Sequence, residues 1–189
     1  MTVTIGFIVE AQSDIDVLQA IVTKCAKKSF SIRSKLTGGC GRLMGRCGAY
    51  AADLYIQGCR ILIVVRDSDG EHSETLNLAI RTKLESSQFK TRLIVIAVRE
   101  IEAWLLADET AIRRGLQLKN EVKATPNPES TANPKKELSR LVTLASKNTV
   151  EYVHVIHNKK IAPHLSLAKV RRCSSFKPFE NFLKERLGA

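Results

Sequence analysis

No stretch of the chain strings together the roughly eighteen apolar residues that a membrane-crossing helix needs. Neither a basic start nor a small-residue cleavage site accompanies the apolar run in "MTVTIGFIVEAQSD". That segment is expected to be a first strand, not a secretory leader. Cys25, Cys40, Cys47, Cys59 and Cys173 form no C-x-x-C pair. An odd number at wide spacing fits neither a disulfide framework nor a zinc site, and a reducing cytoplasm is the expected compartment. The glycine-rich "TGGCGR" lacks the Gly-Lys-Ser/Thr ending of a Walker loop. Acids are scarce too: 19 Asp and Glu stand against 30 Lys and Arg, a net charge of +11.

What is present is an ordinarily globular composition, 44% hydrophobic and 26% charged over 189 residues, enough for one well-buried domain. The charge is unevenly spread. Residues 20–60 carry eight bases and one acid, residues 61–118 eight bases and nine acids, residues 119–189 fourteen bases and six acids. An acid-rich centre flanked by basic segments suits a polyanion, such as nucleic acid, held over bound cations.

The chain alternates strand and helix signals. "VTIGFIV" is a β-rich run, and a helix follows with Ser13 as its expected N-cap and Asp16 as capping-box partner. "FSIRSKL" reads as a short strand, "TGGCG" as a loop, and "RLMGRCGAYAADLYI" as a helix. "RILIVV" and "RLIVIAV" are apolar enough for strands buried on both faces. "EHSETLNLAIRTKLESS" lies between them as a helix, and "EIEAWLLAD" begins another, with Trp104 in the core. This order predicts an α/β fold with a mostly parallel sheet and helices on both faces, whose sites form outside the carboxyl ends of the strands. After residue 118 the texture changes. "KATPNPESTANP" reads as a surface loop, Asn133–Pro134 as the start of a helix to about Ser146, "VEYVHVI" as a strand or extended segment, and "PFENFLKERL" as a terminal helix. Residues 1–118 are thus the expected core, and residues 119–189 a loop plus a helical basic extension packed on the same domain.

The acids sit at strand ends. Glu10 ends the first strand, Asp67 and Asp69 end "ILIVVR", Glu100 and Glu102 follow "LIVIAV", and Asp14 lies on the first turn of the helix after Glu10. Singly, each has a plainer explanation as a turn residue or a first-turn helix acid. On parallel strands all six would meet at one sheet edge and raise one another's pKa unless cations lay between them. Mg²⁺ or Mn²⁺, one ion or two, is the matching cofactor, and phosphodiester cleavage the matching chemistry. Glu10 is the candidate general base or acid. Gly38 and Gly39, with Arg42 and Arg46, form a candidate phosphate cradle. Lys159, Lys160, Arg171 and Arg172 are candidate backbone contacts, one of which would stabilise developing charge near the acids. His154, His157 and His164 have no partners that would make a zinc site.

This pattern resembles the Toprim fold of topoisomerases, primases and the overcoming-lysogenization-defect nucleases: a Glu after the first strand (Glu10) and an Asp-x-Asp after a later one (Asp67, Asp69). Asp14, and Glu100 or Glu102, match further acids of the nuclease branch, while Glu10–Ala11 departs from the family's Glu-Gly. "REIEAWLLAD", "NPKKEL" and "SFKPFENFL" are similar to a family of small standalone bacterial proteins known only as a domain of unknown function. The resemblance implies a metal-dependent nuclease, on DNA more than RNA, working with an ABC-type ATPase in anti-phage defence. It is compatible with a homo-oligomer and implies no membrane partner. Two other functions fit the residues. One is a non-catalytic nucleic-acid-binding or regulatory subunit of an ATPase complex. The other is a haloacid-dehalogenase-type phosphatase, although there the Asp-x-Asp follows the first strand and Thr, not Gly70, commonly follows the second Asp.

Overall fold

A computed structural model describes residues 2–188 of the protein. Its sheet has four strands, β1 (Val3–Val9), β2 (Phe30–Leu36), β3 (Ile61–Asp67) and β4 (Thr91–Ala97), all parallel in the order β2-β1-β3-β4. The first helices are α1 (Gln12–Cys25), α2 (Cys40–Ile56), α3 (Ser73–Lys83), α4 (Glu102–Leu106) and α5 (Glu109–Gly115). After them come α6 (Pro134–Ala145), α7 (His154–Ile161), α8 (Leu167–Val170) and α9 (Phe176–Leu187). No helix is long and apolar enough to cross a membrane among the described residues.

The apolar run of β3 is buried on both faces. Ile61, Ile63 and Val65 join a larger core with α1, α4, α5, α6, α7 and α9, while Leu62 and Val64 join a smaller one with α2 and α3. Each such side chain contributes roughly 1.5–3 kcal/mol by leaving water. Trp104 is fully buried, edge-on to Phe176, stacked on Phe179, and donating its indole N–H to Ser175 Oγ at 2.9 Å. Leu138, Leu141, Ile161, Phe179 and Leu183 stand in the same core as β1 and β3, so residues 119–189 bury apolar surface against the sheet itself.

The chain steps from β1 outward to β2, then crosses back to β3 and β4. The direction reverses between β1 and β3, and such a switch point opens a crevice beyond the carboxyl ends of those two strands. Glu10 and Asp67 stand at those ends.

Two local expectations are corrected. Helix α1 starts one residue before Ser13, which is buried inside its first turn. Ala11 is the N-cap, and Asp14, not Asp16, accepts its backbone N–H at 2.9 Å. The carboxylate at N3 captures that amide even though alanine has no oxygen to return the bond. "VEYVHVI" forms no strand: Val153 is extended, α7 begins at His154, and the fully buried Asn158 and Ile161 turn its inner side to the core. The Asn133–Pro134 start of α6 stands as expected, with Asn133 Oδ1 accepting from Lys136 N at 2.9 Å.

Candidate functional site

Because β1, β3 and β4 are parallel neighbours, the acids that follow them collect at one edge. Asp67, the last residue of β3, is nearly enclosed, and its Oδ1 accepts the Ile101 N–H at 2.9 Å. Glu102 opens α4 and is fully buried. Glu100 lies just before it. Asp14 approaches from α1, and Glu10 lies near Asp69, Asp14 and Arg66.

The "RDSDG" turn is latched to the loop after β4. Ser68 N donates to Ala97 O at 2.9 Å, Asp69 N to Arg99 O at 3.0 Å, and Arg99 N to Ser68 Oγ at 2.8 Å. Asp69 (φ 49°), Gly70 (φ 91°) and Arg99 (φ 63°) all hold left-handed backbone. For the two non-glycine residues this costs about 1–2 kcal/mol each, sustained by the reciprocal bonds. A side chain at residue 70 would press on Arg99 Nη1, 2.9 Å away, so glycine serves both the turn and the contact. Arg66 is buried beneath the turn and bonds Glu71 at 2.6 Å. The acids of this motif are therefore turn residues and members of the cluster at once.

A basic residue that the charge pattern alone does not single out sits among them. The Lys135 ammonium lies 3.8 Å from Asp67 Oδ2, 3.6 Å from Glu100 Oε1 and 3.7 Å from Glu102 Oε2. These are contacts of charge at longer than hydrogen-bond length. The N-cap of Asn133 and the fixed φ of Pro134 aim the start of α6 at the cluster, so the Lys135 backbone N–H also donates to Glu100 Oε2 at 2.7 Å. Behind it runs a buried relay: Tyr152 donates to Asn158 Oδ1 at 2.5 Å, and Asn158 Nδ2 donates to Glu102 Oε1 at 3.2 Å. "NPKKEL" was the signal for Lys135; nothing in the sequence around Asn158 marks it as a partner of Glu102.

Burial dominates the electrostatics. It raises Glu10 and Asp14 from their ordinary values and Asp67 well above its own, with neighbouring acids adding to the rise at Glu10 and Asp67. Burial lifts Glu102 to about 7 against the pull of Lys135 and Asn158. Lys135 is itself raised to about 12, because the acids around it outweigh its own desolvation. Among the described residues, two carboxylate oxygens, Glu10 Oε1 and Glu102 Oε2, are buried with no hydrogen-bond partner. Among the described residues, no three His, Cys, Asp or Glu side chains stand close enough together to form a metal cage.

The remaining basic candidates separate into three environments. Gly38 N donates to Glu10 O at 2.9 Å, which ties the glycine loop to the acid edge, and α2 starts at Cys40 just beyond it. Arg42, Arg46 and Tyr50 follow one another along α2 at helical spacing and line a cleft of about 550 Å³ with Thr37. Lys159 and Lys160 line a different cleft with His157 and His164. Arg171 and Arg172 are committed elsewhere. Arg171 forms a two-pronged pair with Glu180, at 2.8 and 2.7 Å, and Arg172 caps the Ala107 carbonyl. The cation beside Asp67 is Lys135 rather than any of those four.

Residues 47–184 match the model of a family described as Domain of unknown function (DUF4276). The chain belongs to this family. No curated protein and no solved structure matches it. The DUF4276 span takes in Asp67, Asp69, Glu100, Glu102, Lys135 and Asn158, while Glu10 and Asp14 precede it.

Proposed function

We propose that this DUF4276 protein is a divalent-metal-dependent phosphodiesterase of Toprim type that cleaves nucleic acid, DNA in preference to RNA, as the effector of an ABC-type ATPase partner. The observation that carries this reading is the pair of buried oxygens without a hydrogen-bond partner, Glu10 Oε1 and Glu102 Oε2, whose carboxylates both act on Asp67 at the sheet's switch point. An unpartnered buried carboxylate oxygen is costly, and an oxygen-seeking cation relieves it. The donor set is all carboxylate, which fits Mg²⁺ or Mn²⁺ and not a thiolate-preferring metal. Glu10, Asp67 and Asp69, with Asp14, Glu100 and Glu102 around them, are the residues that would hold it, and they would have to draw closer together than they stand in this structure to do so.

A bound divalent ion would supply positive charge to phosphate oxygens and lower the pKa of attacking water. The chain's own groups do the rest. Glu10, its carboxyl raised by burial and by the Asp69 and Asp14 charges, is the candidate for proton transfer. Lys135 stays protonated and offers a fixed ammonium for charge that builds on the phosphate. Asn158 and Tyr152 hold Glu102 in place. The cleft of Arg42, Arg46 and Tyr50, joined to Glu10 through Gly38, offers two guanidiniums and an aromatic ring to a nucleic-acid strand.

The test is cleavage of supercoiled, linear and single-stranded DNA and of RNA with Mg²⁺, Mn²⁺ or EDTA, alone and with the ATPase, beside Mn²⁺ binding by calorimetry. Wild type cleaves only with metal, and Asp67→Ala loses both cleavage and Mn²⁺ binding. Equal cleavage by Asp67→Ala would end the proposal. A second reading has its own observation: Lys135 already compensates three of the acids, as a structural cation would in a non-catalytic regulatory subunit. Absence of Mn²⁺ binding, with tight association to the ATPase, selects that reading.

A further inference from the structure

The two open edges of the sheet are treated differently. Strand β2 exposes Ser31, Arg33 and Ser34, with Lys35 beside them, and such charges discourage strand addition. Strand β4 carries Leu93, Ile94 and Val95 in succession, and Arg92 is turned away to the Leu84 carbonyl. A groove of about 370 Å³ runs over this edge, floored by Ile94–Ile96, walled by Glu74, Asn77, Leu78 and Arg81 of α3, and bounded at the other side by Ser175 and Pro178 at the start of α9. Leu78 is 62% exposed, an apolar side chain left in water beside an apolar strand.

The charges on that wall are complementary to themselves. Glu74, Leu78 and Arg81 share one helix face at spacings of four and three. Glu74 and Arg81 stand about 10 Å apart along the axis, too far to pair with each other. Neither is in a salt bridge among the described residues. A twofold axis crossing α3 between Asn77 and Leu78 places Glu74 against Arg81 of a second copy, Arg81 against its Glu74, and Leu78 against Leu78. Because α3 returns antiparallel to β4, the same axis sets the two β4 strands antiparallel and joins two four-stranded sheets into one. A contact that repeats itself about a twofold is the commonest way for a protein to assemble with itself.

We propose that the protein forms a homodimer through the β4 edge and α3, with the Glu74–Arg81 ion pair made twice. The proposal is independent of any catalytic role for the acid edge. Sedimentation velocity over a micromolar range tests it. Wild type sediments at twice the chain mass, Leu78→Glu weakens the dimer at least tenfold, and Glu74→Arg or Arg81→Glu alone weakens it. The double reversal Glu74→Arg/Arg81→Glu restores it, which a merely unfolded variant does not do. In a Cys40→Ser background, Asn77→Cys forms an intermolecular disulfide under mild oxidation far faster than the exposed control Lys119→Cys. Three results overturn the proposal: a monomer at every concentration, a dimer insensitive to all of these variants, or a groove that takes an extended segment of another protein while the chain stays monomeric.

Discussion

Lys135 is bound to Glu100 twice, once by its backbone N–H, 2.7 Å from Oε2, and once by its ammonium, 3.6 Å from Oε1. The start of α6 therefore cannot leave the acid edge without unpairing both. The side chain also compensates Asp67 and Glu102. Lys135→Met keeps the aliphatic stem and the backbone bond and removes only the charge. The Lys135 side chain is about a third exposed, at 37%, so the loss is screened. It amounts to about 1–3 kcal/mol of stability at pH 8. At pH 5.5, where the raised carboxyls take up protons, the loss is smaller. Urea unfolding at the two pH values checks this, and an equal loss at both would show that Lys135 acts by packing alone.

The buried acids give stability a definite pH slope. Glu102 titrates near 4.5 when unfolded and at about 7 when folded. The folded state thus binds more protons between those values, and stability falls as pH rises through that window. Asp67, Asp14 and Glu10, also raised, act in the same direction. Mn²⁺ bound to the ionised cluster, as proposed, would reverse the trend. Millimolar Mn²⁺ is expected to raise the melting temperature at pH 8 and to do little at pH 5. A metal effect of equal size at both pH values, or one that survives Asp67→Ala, would place the ion elsewhere.

The sheet and the placing of its acids were legible because both depend on neighbours in sequence. An apolar run followed at once by Asp or Glu puts that acid at a strand's carboxyl end, and parallel strands bring such ends together. The place of Lys135 and Asn158 beside the acids was not legible, although "NPKKEL" marks Lys135 itself, because each reaches the site only through the packing of α6 and α7 on the sheet. "VEYVHVI" read as a strand or extended segment; its last three residues instead open α7, whose Asn158 and Ile161 are buried against the core. Arg171 and Arg172 read as candidate nucleic-acid backbone contacts, since their partners, Glu180 and the Ala107 carbonyl, are supplied only by folding.

That last difference predicts separate consequences for two groups of bases. Glu180 is held down to about 2 by its hydrogen bonds with Arg171 and Lys184. Its folded pKa is lowered, so it stabilises the protein above pH 4.5, and that contribution disappears as pH falls towards 2. Arg171→Ala is expected to lower the melting temperature at pH 7, lose most of that effect near pH 2.5, and leave nucleic-acid affinity unchanged. Arg42→Ala and Arg46→Ala should do the opposite: unchanged melting, weaker binding, and a salt dependence reduced by about one unit for each phosphate no longer neutralised. Fluorescence anisotropy across a salt series, beside thermal melts, separates the two groups. Weakened binding by Arg171→Ala would return it to the nucleic-acid surface.

Asn158 makes the most demanding prediction, because it is fully buried and both ends of its amide are used. Replacing it with Leu removes the donor to Glu102 Oε1 and the acceptor for the Tyr152 hydroxyl. Glu102 then has neither oxygen hydrogen-bonded, since Oε2 already lacks a partner. Leaving two buried polar groups unsatisfied costs about 2–4 kcal/mol. Tyr152→Phe removes one donor and leaves Asn158 Oδ1 bare, a loss of about 1–2 kcal/mol by the same reasoning. In the double variant the lost hydroxyl no longer needs Asn158, so the combined loss falls short of the sum by roughly 1 kcal/mol. Chemical denaturation of the four proteins in the cycle measures that coupling. Strict additivity would mean that Tyr152, Asn158 and Glu102 do not act as one chain, and that Glu102 is held by Lys135 alone.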